Sequence, residues 1–114
     1  MSTFFLNINL WERELEQLLE QLQKTILALR QTQDGAMKLY EKMMPQIIKV
    51  MSELMELSNS MPLPEENITE ILLQQLKNLE NSYGQQDIVV LADTLEYEIT
   101  DSIRFYMDMI NNVE

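Results

Sequence analysis

The sequence predicts an all-α fold, an antiparallel up-down four-helix bundle that forms a single domain over residues 1–114. The chain contains only 2 glycines and 3 prolines, and this composition favours helices over a turn-rich β fold. Hydrophobic residues make up 46% of the chain, which is too many for a disordered chain and enough for a core. Apolar residues recur in steps of three and four within four segments, and this spacing keeps side chains on one face of a helix.

The first helix is predicted at about residues 10–33, after an N-terminal arm at 1–9. Asn9 followed by Glu12 has the spacing of a capping box, which places the helix start near residue 10. The apolar stripe then comprises Trp11, Leu15, Leu18, Leu22, Thr25 and Leu29. Gly35 ends this helix, because glycine tolerates positive φ. The arm is apolar, so we expect it to fold over the bundle or to pair with another copy.

The second helix, at about residues 36–58, carries two apolar rows. The main row consists of Met37, Tyr40, Met44, Ile47, Met51 and Leu54. The flanking row consists of Leu39, Met43, Ile48, Val50, Met55 and Leu57. Together they cover more of the helix than one neighbouring helix would bury. Pro45 predicts a kink near Lys42, with a break as the alternative, because proline removes a backbone donor and clashes with the preceding turn. Since the rows stay in phase across Pro45, the pattern favours the kink.

The third helix is predicted at about residues 65–83, after a loop at 59–64 that contains two prolines. Asn67 and Glu70 offer a capping box near its start. The predicted buried face consists of Ile68, Ile71, Leu72, Leu76, Leu79 and Tyr83. Gly84 ends the helix.

The fourth helix is predicted at about residues 87–111, with Asp87 as its N-cap. Its apolar residues are Ile88, Leu91, Ala92, Leu95, Ile99, Ile103, Tyr106 and Ile110. The β-branched run from Ile88 to Val90 would suit a strand, but the helical phase of the following residues extends back through it. Short connections between the four helices predict that neighbours run antiparallel.

The charge of the chain limits its partners. There are 19 acidic residues against 8 basic ones, which gives a formal net charge of -11. Nucleic acids and anionic membranes both require a basic surface, so neither is a predicted partner. The N-terminal MSTFFLNINLWERE lacks the basic start of a signal peptide, and no apolar run approaches the ~18 residues of a membrane span. Without cysteines, the chain is compatible with the reducing cytoplasm, which is the predicted location.

The chain lacks the residues that most catalytic mechanisms require. The chain contains no histidine and no cysteine, which removes histidine phosphotransfer, ordinary di-iron sites, hydrolytic triads and thiolate chemistry. Gly35 and Gly84 stand alone, so no glycine-rich loop can cradle a phosphate. We therefore predict a non-enzymatic protein without a cofactor.

One acidic cluster supports a second hypothesis. It comprises Asp93, Glu96, Glu98 and Asp101, and carboxylates of this kind can bind Ca²⁺ or Mg²⁺. On a helix these residues scatter over an exposed arc, so a solvated face is the favoured interpretation and no metal site is predicted. The alternative function is a regulatory or structural bundle that binds a cation or small ligand through Asp93, Glu96 and Asp101.

The leading hypothesis is a bundle that binds another protein or a second copy of itself. Methionine adapts to irregular partners and also fills gaps in cores. Met43, Ile48 and Met55, in the flanking row, are therefore candidates for a partner or dimer surface, with the core as the alternative. Trp11 and Tyr40 are typical of core-edge anchors, and Trp11 is included among the candidate contacts.

The C-terminal third resembles the ending of a family of small uncharacterised Firmicutes helical proteins. The residues that carry the resemblance are Asp87, Val89, Leu91, Ala92, Asp93, Leu95, Glu96, Tyr97, Glu98 and Ile99. They match the pattern D-x-V-x-L-A-D-x-L-E-Y-E-I, which a proline often follows in that family, whereas Thr100 follows here. The family has no established activity, so the resemblance implies the fold. Glu96, Tyr97 and Glu98 together form a candidate binding site. The chain is also similar in character to flagellar export chaperones, acidic bundles that hold a partner's terminal helix.

Overall fold

The computed structural model describes the backbone of residues 2–60 and 68–111 and the side chains of residues 10–57 and 68–108. The described residues form four helices and no strand, which confirms the all-α bundle. The first three helices are α1 (Ser2–Arg30), α2 (Ala36–Ser60) and α3 (Ile68–Gly84). The fourth helix consists of three consecutive segments: α4 (Ile88–Thr94), a π segment (Leu95–Ile99) and α5 (Thr100–Asn111).

The predicted N-terminal arm at residues 1–9 is wrong, because α1 already begins at Ser2. No glycine or proline occurs between Ser2 and Arg30, so nothing in the sequence ends the helix at Asn9. A capping residue stabilises a helix start where one occurs, but it does not prevent a helix from continuing through it. Asn9 is therefore an interior residue of a helix that is longer than predicted.

The second helix passes through its proline without interruption. Pro45 lies inside α2, which is continuous from Ala36 to Ser60. The alternative of a break at Pro45 is therefore wrong, whereas the kink stays a prediction. The capping box at Asn67, and most of the predicted loop at 59–64, lie outside the described residues.

Both described turns close with the same hydrogen-bond pattern at the end of a helix. After α1, the Gln33 N–H donates to the Ala28 carbonyl at 3.0 Å and the Thr32 N–H to the Leu29 carbonyl at 3.1 Å. This is a Schellman motif, in which the residue after the helix adopts left-handed backbone angles. Thr32 has a φ of 49°. The predicted end of this helix, at about residue 33, is three residues too late, because the prediction relied on Gly35 whereas α1 ends at Arg30.

The turn after α3 repeats this arrangement. The Asp87 N–H donates to the Ser82 carbonyl at 2.9 Å, and the Gln86 N–H donates to the Tyr83 carbonyl at 3.0 Å. Gln86 is the left-handed residue, with a φ of 54°, and Gly84 is the last helical residue. Asp87 then caps the fourth helix as predicted, because its Oδ1 accepts a hydrogen bond from the Val90 N–H at 3.1 Å.

The helices pack as a closed ring around one core. Each of the first three helices packs against the next one in the chain, and α1 packs against α4, the π segment and α5. The residues that are completely buried include Leu15, Leu22, Leu29, Tyr40, Ile47, Val50, Met51, Leu54, Leu91, Leu95, Ile99 and Ile103. The ring confirms the four-helix bundle, while the antiparallel order of the helices stays a prediction.

Candidate functional site

The residues predicted to contact a partner lie in two separate regions. Glu96, Tyr97 and Glu98 follow one another in the π segment of the fourth helix. The others belong to α1 and α2 and are Trp11, Met43, Ile48 and Met55. Since α2 packs mainly against α1 and α3, each region has to be considered by itself.

The α1–α2 region offers little surface to a partner. Met43 is only 4% exposed and belongs to the core, where it lies beside Leu18 at the junction of α1 and α2. Its prediction as a surface contact is therefore wrong for the folded monomer, because α1 covers this part of the flanking row. Trp11 and Met55 are partly buried and pack against the core. Ile48 is 46% exposed and is the one member of this group on the surface.

Trp11 lies beside a charged contact between the same two helices. The Lys49 Nζ is 3.7 Å from the Glu14 Oε2. Burial raises the pKa of the neighbouring Glu53 carboxyl, while Lys49 and the Trp11 indole lower it. Trp11 itself packs against the core from this position, which is typical of an anchor at the core edge.

The π segment follows from the spacing of the buried residues. Leu91, Leu95, Ile99 and Ile103 are all completely buried, although they are separated by three consecutive steps of four. An α-helix turns by about 100° per residue, so each step of four rotates the side chain by roughly 40° beyond a full turn. The wider π turn absorbs much of this rotation. Accordingly, the Thr100 N–H donates to the Leu95 carbonyl five residues earlier, and the Thr100 Oγ1 donates to it at 2.8 Å.

This turn places Tyr97 on the outer surface of the fourth helix. Its side chain is 62% exposed, whereas Glu96 and Glu98 on either side are half-buried. Single-turn π segments inside α-helices are rare and often occur at functional sites. The sequence pattern indicated these three residues but not the π turn. The signal for the π turn was the spacing of the buried residues from Leu91 to Ile103, which follow one another at intervals of four.

On one side, Arg30 at the end of α1 holds the π segment. Its Nη2 lies 3.0 Å from the Asp93 Oδ1 and 3.5 Å from the Glu96 Oε1, and its guanidinium carbon lies 5.9 Å from the centre of the Tyr97 ring. The hydrogen bond to Asp93 and the charge of Glu96 raise the pKa of Arg30. The hydrogen bond to Glu96 and its negative charge raise the pKa of Tyr97, which Arg30 opposes. No local sequence pattern points to Arg30, because its partners are far away in the chain.

On the other side, polar side chains of α3 hold the fourth helix. The Asn78 Nδ2 donates to the Glu98 Oε1 at 2.8 Å, and the Ser102 Oγ donates to the Gln75 Oε1 at 2.9 Å. The Gln74 Nε2 in turn donates to the Asn78 Oδ1 at 3.1 Å. Tyr97 is thus exposed on a segment that both neighbouring helices fix in position.

Two grooves meet at Tyr97. The groove between α3 and the fourth helix, here called the Tyr97 groove, has a volume of about 210 Å³, and its residues include Ile71, Tyr97 and Phe105. A larger groove of about 560 Å³ lies on the α1 side and includes Leu27 and Arg104. Ile71 was predicted to be buried, but it is 45% exposed, because α3 turns mainly Leu72 and Leu79 towards the core. Phe105 is 48% exposed.

The acidic cluster is divided between different contacts. Asp93 and Glu96 pair with Arg30, Glu98 accepts a hydrogen bond from Asn78, and Asp101 lines both grooves. Among the described residues, no group of three or more acidic side chains is placed to hold a metal ion. Within the same part of the chain, every helix is too short or too polar to cross a lipid bilayer.

The comparisons with known proteins found no relative of this chain. No protein-family model, no curated protein sequence and no solved structure matches the chain. The resemblance to the Firmicutes family therefore stays a prediction, and the function has to be inferred from the site itself.

Proposed function

We propose that this chain is a non-enzymatic, cytoplasmic protein-binding bundle that holds a segment of another protein on the surface around the π segment. The observation that carries this proposal is the exposure of Ile71, Tyr97 and Phe105 at one groove. Single exposed apolar side chains are common on soluble proteins, whereas a cluster beside a groove is typical of an interaction site.

The fixed position of the groove supports the same proposal. Arg30 holds one side of the π segment and Asn78 the other, so the groove exists before a partner arrives. A site that is already ordered loses less conformational entropy on binding. This is the expected arrangement for a chaperone-like bundle that holds a partner segment.

Site-specific photo-crosslinking in the cells that produce the protein would test the proposal. A photoreactive phenylalanine analogue replaces Phe105 in one variant and Leu39 in the control. Leu39 is a suitable control because it is 45% exposed but lies on α2, away from the groove. We expect a covalent adduct with another polypeptide from position 105 and none from position 39.

Two outcomes would contradict the proposal. The first is that position 105 yields no adduct above the level of position 39. The second is an adduct of equal yield at both positions, since this would indicate nonspecific contact. An adduct with a second copy of the chain would show that the partner is the protein itself, and sedimentation at several concentrations would then report the dimer.

A further inference from the structure

The Tyr97 groove is suited to one large side chain of a partner. Its volume of about 210 Å³ is below the roughly 300–1,000 Å³ of typical small-molecule sites. Ile71, Tyr97 and Phe105 give it an apolar rim. Beneath Phe105, the buried Tyr106 ring lies at 5.4 Å in an edge-to-face arrangement, which supports this wall of the groove.

The charge of the groove has one sign. Glu98 and Asp101 line it, and no lysine or arginine is found among its lining residues in the described part of the chain. The whole chain carries a net charge of -11. A basic segment would therefore be attracted to the groove, and a second copy would bring the same negative charge and be repelled. The groove on the α1 side contains Arg30 and Arg104 beside its acids, so it lacks this preference.

The backbone of the partner segment is also constrained. The described residues contain no strand, so they offer no sheet edge to an extended peptide. A helical segment satisfies its own backbone hydrogen bonds and requires only contacts with side chains. A helix is thus the conformation that this surface accommodates best.

We propose that the Tyr97 groove binds a basic amphipathic helix of a partner protein. One large apolar side chain of that helix lies between Tyr97 and Phe105, and its lysines or arginines face Glu98 and Asp101. This inference rests on the proposed function and specifies the chemistry of the partner.

Binding of synthetic peptides to the full chain would test it. The probe is a fluorescent amphipathic peptide of about 18 residues, long enough to form a helix, with leucine and phenylalanine on one face and lysine on the other. In a control peptide, glutamate replaces every lysine. Fluorescence anisotropy should show binding of the lysine peptide that is at least about tenfold tighter than binding of the glutamate peptide. Equal binding of the two peptides would overturn the proposal.

Matched variants distinguish binding in the groove from a general attraction between opposite charges. The pair Glu98→Gln with Asp101→Asn and the pair Glu41→Gln with Glu56→Gln change the net charge by the same amount. The second pair is on α2, which contributes no residue to the groove. We expect the first pair to weaken binding about tenfold and to reduce its salt dependence, and the second pair to change it less than twofold. Equal losses from both pairs would overturn the proposal.

Truncation of the two aromatic side chains tests the apolar contact. Tyr97→Ala and Phe105→Ala should each weaken binding of the lysine peptide at least about fivefold, as expected for an anchor position. Leu39→Ala is the control. Tyr97 is 62% exposed and Phe105 is 48% exposed, so neither belongs to the core and both variants should keep the circular dichroism spectrum of the native chain. Unchanged binding by both aromatic variants would overturn the proposal.

The crosslinking experiment distinguishes the two proposals. If the adduct from position 105 maps by mass spectrometry to an acidic or uncharged segment of a partner, the proposed function stands and the basic helix is wrong. If position 105 yields no specific adduct, the proposed function itself is wrong.

Discussion

At the scale of single residues, Tyr40 is a buried side chain whose polar group lacks a hydrogen-bond partner among the described residues. Its ring is completely buried and lies 5.4 Å from the Tyr83 ring. Within the described part of the chain its hydroxyl has no hydrogen-bond partner. A buried hydroxyl that has lost its water without gaining a partner is destabilising by about 1–3 kcal/mol.

Tyr40→Phe should therefore stabilise the protein. Phenylalanine keeps the ring contacts and removes the hydroxyl, so we expect the free energy of unfolding to rise by about 1 kcal/mol. Urea denaturation followed by circular dichroism measures this change. Tyr83→Phe is the matched control, because Tyr83 is only half-buried and its variant should differ from the native chain by less than about 0.5 kcal/mol. A destabilised Tyr40→Phe variant would mean that the hydroxyl is bonded in solution.

The same hydroxyl predicts a loss of stability in alkali. Burial raises the pKa of Tyr40 to about 12, and Tyr83 adds to the shift. An unfolded tyrosine ionises near pH 10, so above this pH the unfolded chain loses a proton that the folded chain keeps. The contribution of Tyr40 to the free energy of unfolding should thus fall by at most about 1.4 kcal/mol per pH unit between pH 10 and pH 12. The free energy of unfolding of the Tyr40→Phe variant should fall less steeply over this range. Parallel curves of unfolding free energy against pH for the two proteins would contradict the prediction.

Periodicity identifies which residues repeat on a face but not how far that face is covered. Tyr40 and Met51 were assigned to the main row of α2, and both are completely buried. Met43 and Ile48 belong to the same flanking row, yet Met43 is buried and Ile48 is exposed. The difference depends on where α1 crosses α2, which is a tertiary contact that no local pattern contains.

At the scale of elements, two helices end in a left-handed residue that is not glycine. Thr32 and Gln86 hold these positions, and side chains with a Cβ atom are strained there by about 1 kcal/mol. The glycines nearby are at other places: Gly84 ends α3 itself, and Gly35 has a φ of 83° just before α2. Glycine positions in the sequence therefore indicated both turns but not the residue that makes each one.

Gln86→Gly should stabilise the protein. The substitution relieves the strain of the left-handed backbone, and the greater freedom of glycine in the unfolded chain offsets part of this gain. We therefore expect the free energy of unfolding, measured by urea denaturation, to rise by about 0.5–1 kcal/mol. Gln85→Gly is the control, because Gln85 is not among the residues with positive φ. That variant should lose up to about 1 kcal/mol. Equal effects from the two substitutions would contradict the role of Gln86.

The π segment predicts how the deletion of a single residue changes the stability of the protein. Without Tyr97, the spacing between Leu91 and Ile103 falls from twelve residues to eleven, and eleven residues complete about three turns of an α-helix. The chain lacking Tyr97 should therefore form a regular α-helix and stay within about 2 kcal/mol of the native stability. Removal of the exposed Lys77 from α3 is the control, because it rotates Leu79 out of phase with Leu72 and should cost at least about 3 kcal/mol.

Urea denaturation of the two deletion variants compares these costs directly. If both lose the same stability, the phase of the buried residues does not explain the π segment. The variant without Tyr97 should also bind the lysine peptide poorly, which would connect the additional residue of the π turn to the binding surface.

At the scale of the whole molecule, helix number and most of the core could be predicted because each helix is amphipathic over several turns. The ring of packed helices then brings together residues that are distant in the chain. Arg30 meets Asp93 across 63 positions, and Asn78 meets Glu98 across 20. The candidate site is made of such contacts, so the sequence indicated Tyr97 and its acidic neighbours but not the groove beside them.

The net charge of -11 affects the stability of the whole bundle. The structure extends over 46 × 28 × 19 Å, so most of its carboxylates repel one another over distances that salt can screen. Raising NaCl from about 0.01 M to about 1 M shortens the Debye length from roughly 30 Å to 3 Å. We expect the free energy of unfolding to increase by about 1 kcal/mol over this range, because repulsion in the compact state is weakened more than in the expanded chain.

Thermal or urea denaturation at several NaCl concentrations would measure this increase. The Glu41→Gln with Glu56→Gln variant should show a smaller increase, since its net charge is closer to zero and both side chains are exposed. Attractive pairs act in the opposite direction: Arg30 with Asp93 and Lys49 with Glu14 are weakened by salt. A decrease in stability with added NaCl would show that these pairs outweigh the repulsion. The acidic surface would then cost the fold little, and its attraction for basic partners would carry no penalty in stability.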